Sequence, residues 1–172
     1  MKLFVCAAAL LLSLPGTLHA QQSAAHAAGK PVVVTIKNAD GQAIGTATLS
    51  AAPTGVKIAL DIKKLPAGEH SIHIHQFAKC EPPDFKSAGA HFDASGGHAH
   101  SGAPAGDIPD FSLIVGKDGT ANVTTIAPNV TLGDDDHSVF SNGGTAVVIH
   151  AVAGGTGSGA PPRIACGVIT RP

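Results

Sequence analysis

A chain of 172 residues has room for one core-forming domain. With a net charge of −1 and neither Trp nor Tyr, it offers no basic surface for nucleic acid and no aromatic platform for stacking. Beyond its first residues no apolar run suggests a membrane span.

The start reads as an export signal. Lys2 precedes the apolar run "LFVCAAALLLSL", and "PGTLHA" follows with small residues suited to a cut after Ala20. Residues 1–20 are therefore expected to be a signal peptide. Its removal takes Cys6 away and leaves Cys80 and Cys166, which in an exported chain are expected to form a disulfide. Residues 21–30, "QQSAAHAAGK", read as a flexible lead, with His26 a solvated tail residue, and residues 31–172 as the folded domain.

Short β-type runs fill that domain. "PVVVTIK" (31–37) ends at "NADG", and "QAIGTATLSA" (42–51) ends at "APTG". "VKIALDI" (56–62) alternates apolar and polar residues, with Val56, Ile58, Leu60 and Ile62 on one face. "EHSIHIH" (69–75), "FSLIV" (111–115), "TANVTTI" (120–126), "TAVVIHAV" (145–152) and "IACGVIT" (164–170) complete a set of eight strands without a helix. This pattern predicts an all-β, antiparallel Greek-key sandwich or flattened barrel. Two long loops, about 76–110 and 153–162, interrupt it and are expected to be functional.

Histidine is concentrated where carbon would be expected. Six of the ten histidines lie between residues 70 and 100. His73 and His75 occupy i and i+2 of one strand, so they share a face and can converge on one ion. His91 opens "HFDASGGHAH", with His98 and His100 behind it, and His150 closes the apolar strand "TAVVIH". A buried imidazole left unpaired is costly there. Imidazole donors suit copper or zinc, so composition and spacing predict metal binding and leave the metal open. "GDDDHS" (133–138) reads as a solvated turn, and His137 is not expected to ligate.

Five ordered motifs resemble those of the copper-zinc superoxide dismutases. "GEHSIHIHQF" is similar to their GxHGxHxHxF-type signature, and "CEPPDFKSAGAHFD" to the loop that follows it in bacterial members. "AGDIPDFSLIVGKDGTA", "SVFSNGGTAVVIHAVA" and "PPRIACGVI" resemble the end of the metal loop and the last two signatures. The resemblance implies an exported, periplasmic dismutase that acts on superoxide, as a monomer or a homodimer. It assigns His73, His75, His91 and His150 to copper, with His91 as the imidazolate shared with zinc and a catalytic participant. Arg163 would sit beside copper and guide the anion, a role that needs a fixed cation. His70 would be a structural histidine, and Cys80–Cys166 the family's disulfide.

The zinc side departs from the pattern. Pro104 stands in "PAGD" where the family carries a ligating histidine, and the loop from His100 to Asp107 is short. Two arrangements compete: an incomplete or empty site built from His91, Asp107 and one of His98 or His100, or a His₃Asp set in which both turn inward. Gly154 and Gly155 replace an acidic pair that would orient the zinc-side histidines. Ala151 to Pro162 carries no charge, leaving Arg163 as the evident cation near copper. These features resemble the copper-only branch of the family. The expected function is an exported superoxide dismutase; the alternative is a copper buffer or carrier on the same fold.

Overall fold

In the run 56–62, Val56, Ile58, Leu60 and Ile62 are buried while Lys57 and Asp61 face solvent, the burial alternation that a half-buried strand imposes. The computed structural model describes residues 30–94, 103–152 and 161–172. The expected signal peptide, the 21–29 lead with His26, and His98, His100, Gly154 and Gly155 lie outside the described residues.

Nine strands are described: β1 (Val32–Asn38), β2 (Ala43–Ala51), β3 (Val56–Ile62), β4 (Gly68–His70), β5 (Ile72–His75), β6 (Leu113–Val115), β7 (Ala121–Ala127), β8 (Thr145–His150) and β9 (Arg163–Ile169). Seven form one curled antiparallel sheet in the order β5-β8-β9-β1-β2-β3-β7, and β4 pairs with β6 alone. The fold class is therefore as the sequence predicts, with nine strands in place of eight. The extra one arises because 69–75 breaks at Ser71. Ser71 N–H donates to Val152 O, and His150 N–H donates to Ser71 O, so the chain leaves the β4–β6 ribbon and joins β8 there. No α-helix occurs among the described residues; two 3₁₀ turns, Lys86–Ala88 and Ser141–Gly143, lie in loops.

The main core gathers Ile36, Leu49, Ile58, Ile62, Ile74 and Ile149 inside the curl, joined by Phe92 and Ile108 from the long loop. In β5 the inward positions belong to Ile72 and Ile74. His73 and His75 therefore project from the opposite, outer face, so they do not displace carbon from the main core. That outer face is covered. Phe85, Ala88, Ala146, Val148 and Cys166 form a second cluster beneath the 76–90 segment, against which Cys80 packs. The Cys80–Cys166 disulfide, with Cα atoms 5.6 Å apart, pins this segment to β9.

Candidate metal centre

Three chain segments bring four histidines to one point. β5 carries His73 and His75 on its outer face, and β8, its antiparallel neighbour, ends at His150. The free edge of β5 is occupied by the returning loop: Gln76 N–H donates to Ala90 O, Phe92 N–H to Ile74 O, and Ile74 N–H to Gly106 O. Phe92 goes into the core, which turns its neighbour His91 outward toward His75, its bridge partner. A side chain at Gly106 would overlap Ile74 O, so only glycine lets this strand of loop lie so close. Each of the four histidines offers one ligand atom, and these atoms lie within 4.8 Å of one another.

The ring nitrogens sort themselves by their partners. His75 Nδ1–H donates to Gly89 O at 3.0 Å, and His150 Nδ1–H donates to Pro161 O at 3.1 Å. Carbonyl oxygens only accept, which places each proton on Nδ1 and leaves a lone pair on each Nε2. Those two Nε2 atoms face each other at 3.3 Å. His91 Nδ1–H donates to Asp107 Oδ1 at 2.6 Å. His73 Nδ1 is buried without a hydrogen-bond partner.

Burial also keeps His73, His75 and His150 neutral. It pushes the His73 pKa down to about 3, assisted by His91 and His150 nearby. His75 falls to about 3 chiefly through burial, which the Gly89 hydrogen bond opposes and Arg163 reinforces. His150 is lowered in the same direction, again mainly by burial. Neutral imidazole is the form a metal requires.

These residues fit one imidazole-bound ion. The orphaned His73 Nδ1 needs a partner, and the apposed lone pairs of His75 and His150 repel unless something positive lies between them. Two nitrogens at about 2.0–2.1 Å from a tetrahedral ion would stand about 3.3 Å apart, as these two do. All-imidazole donor sets suit copper or zinc.

Around the donors, His70 is a brace. Its Nδ1 lies 3.0 Å from His150 O and its Nε2 2.9 Å from Pro66 O. Arg163 opens β9 as the register partner of His150. Its guanidinium donates to Phe85 O at 2.8 Å and to Gly89 O at 2.7 Å, a fork held by the disulfide-pinned segment. Burial lowers the Arg163 pKa, and the charge of Asp84 opposes that shift.

The expected zinc set is only partly in view. His91 and Asp107 are together, Pro104 turns its carbonyl to Asp107 N–H, and its ring offers no donor. The residues described thus hold two of the expected zinc ligands, and no step below depends on zinc. Arg163 is not the only cation of its recess. Lys86 lines the same recess of about 430 Å³, together with Asp84 and the prolines 83, 161 and 162. Its signal in the sequence is the charged pair within "PDFK", which linear distance separates from Arg163. The carbonyls of Gly89 and Pro161 have no sequence signal at all.

The sequence profile described as copper/zinc superoxide dismutase (SODC) matches residues 43–169. A protein of Aquifex aeolicus (strain VF5) named copper–zinc superoxide dismutase 2 is 40% identical over 147 residues, covering 77% of this chain and 82% of that protein. Among solved structures, a SOD-like protein from Bacillus subtilis is 29% identical with a TM-score of 0.70, covering 83% of this chain and 99% of that one. The Cu/Zn superoxide dismutase from Brucella abortus is 26% identical with a TM-score of 0.62, covering 81% and 99%. With the four converging histidines on the outer face of a curled β-sheet, these matches place the chain in the copper/zinc superoxide dismutase family.

Proposed function

We propose that this protein is a superoxide dismutase that works outside the cytosol, converting two superoxide anions and two protons into O₂ and hydrogen peroxide. The observation that carries the reading is the set of four histidine donors within 4.8 Å, one of them a buried orphan nitrogen. His73 through Nδ1 and His75, His91 and His150 through Nε2 would hold copper. When bound there, copper supplies the one-electron couple that the two halves of the reaction share.

The chain's own groups do the rest. Gly89 O and Pro161 O fix the tautomers of His75 and His150, so their lone pairs stay aimed inward. Arg163, locked by two carbonyls, presents a permanent positive charge where an anion arrives. His70 ties the β4 end to His150 and so fixes the backbone beneath that donor. Export is supported by the Cys80–Cys166 disulfide, a bond that oxidising compartments favour.

The test is copper loading of the processed chain, with metal content and superoxide decay measured on one sample. One copper per chain with rapid decay is the expected result. Copper uptake without decay acceleration would favour the copper-carrier reading, against which the locked Arg163 speaks, since storage has no use for it.

A further inference from the structure

Two nitrogen–oxygen and nitrogen–nitrogen separations in this site differ in kind. His75 Nε2 and His150 Nε2 stand 3.3 Å apart, the spacing of two donors around one small ion. His91 Nδ1 and Asp107 Oδ1 stand 2.6 Å apart. Two ligands at about 2.0–2.1 Å from an ion would subtend an angle near 80° at that spacing, far below tetrahedral. A separation of this size is that of a charge-assisted hydrogen bond, with the proton on Nδ1 and the carboxylate accepting.

We propose that Asp107 is a positioning residue for His91: through this direct bond it fixes the ring so that Nε2 faces the other donors, a task that then requires no zinc. This rests on the copper assignment proposed above. The placement of Asp107 comes from the backbone. Gly106 accepts from Ile74 N–H and donates to Phe92 O, so it lies between β5 and the residue next to His91. Asp107 follows directly, its N–H bonded to Pro104 O. His91 and Asp107 are thus held by the same small ladder, and their bond closes it. Pro104 removes a competing ligand from this side. A partner that orients a ligating histidine is typically worth about 10–100-fold in metal affinity.

The test uses the processed chain prepared free of zinc, checked by elemental analysis, and loaded with copper alone. Electron paramagnetic resonance of the wild type is expected to show coordination by all four histidine nitrogens, unchanged when zinc is added. Asp107→Ala is expected to lose one nitrogen from that pattern and to bind copper about 10–100-fold more weakly. Asp107→Asn, whose side-chain oxygen still accepts the Nδ1–H, should retain the pattern and fall between the two. A wild type that reaches four nitrogens only after zinc addition overturns the proposal, as does an Asp107→Ala protein indistinguishable from wild type. Nitrogen NMR of the metal-free wild type decides independently of copper and of variant folding. A slowly exchanging proton on His91 Nδ1 is expected, and a ring protonated on Nε2 alone would refute the role of Asp107. Failure of the wild type to take up copper would instead strike the function proposed above.

Discussion

His75 and Arg163 hydrogen-bond to the same atom, the carbonyl oxygen of Gly89, at 3.0 and 2.7 Å. The proposed metal donor and the cation proposed to receive the substrate are thereby set at a fixed spacing by one backbone group. Arg163→Gln removes the charge and is expected to lower kcat/KM at least about tenfold, within the range that a focused local charge supplies. Arg163→Lys keeps the charge but not the planar fork that reaches two carbonyls, so it should fall between the two. Stopped-flow superoxide decay with copper content held equal measures both; equal rates for all three proteins would dissociate Arg163 from substrate capture.

Acid should weaken the metal-free protein in a defined window. His73 and His75 have folded-state pKa values of about 3 against an ordinary 6.5, so their contribution is complete above about pH 6.5. Below that, the unfolded chain takes up protons that the folded chain refuses. Stability is then lost progressively as the pH falls toward 3. We expect the metal-free Tm to drop by on the order of 10 °C between pH 7 and 4.5. Bound copper should oppose this fall, because a ligand that binds only the folded state adds to its stability. Calorimetry across that range checks the sign, and a flat or rising metal-free Tm would contradict it.

Lys86 and Asp84 form an exposed ion pair at 2.8 Å in the recess that Arg163 also lines. An anion drawn to Arg163 would feel both charges at low salt, where screening is weak. Lys86→Gln should slow superoxide consumption about twofold and Asp84→Asn should quicken it about twofold, both effects vanishing near 0.5 M salt. A salt series on the three copper-loaded proteins tests this. Rates that move together at every ionic strength would exclude an electrostatic role for the pair.

Phe85 links stability to the site. Its ring is fully buried in the outer cluster with Val148 and Cys166, while its carbonyl accepts from Arg163. Phe85→Ala should cost about 3–4 kcal/mol in unfolding free energy. It should also reduce activity toward that of Arg163→Lys, since the segment that presents the carbonyl loses its anchor. Denaturant unfolding and kinetics on the same preparation are the measurements. Full activity in a destabilised protein would show that the Phe85 carbonyl stays in place without its ring.

The strands were legible in the sequence wherever alternation was clean, as in 56–62, because burial of one sheet face writes period two directly into the residues; in 32–38 the exposed Val33 between buried Val32 and Val34 hides it. The break at Ser71 was not, since it depends on hydrogen bonds to Val152 and His150 some 80 positions away. The sequence reading gave the inward positions of β5 to His73 and His75, whereas the core takes Ile72 and Ile74. Isoleucine and histidine alternate there, and only the cover supplied by Phe85 and Ala88 shows how both faces become dry. Of the site, the side chains were readable and their holders were not. His73, His75, His91, His150 and Arg163 carry chemistry in their residue types, whereas Gly89 O and Pro161 O act through a group that every residue possesses. The separation of Lys86 from Arg163 in the chain likewise hid their common recess.

Phe92 and Gly106 are both stitched to Ile74 on the free edge of β5, one to its carbonyl and one to its N–H. The chain between them therefore begins and ends at fixed points a few ångström apart, like a loop of thread knotted twice to one post. Residues can be added to or removed from that loop without turning His91 away from its companions or drawing Asp107 off it. A one-residue shift of His91 and Phe92 against β5, by contrast, would exchange the inward and outward neighbours, sending imidazole into the core and a phenyl ring toward the other histidines. What keeps imidazole out of the core is thus the pairing of Phe92 with Ile74 rather than the length of chain on either side of it.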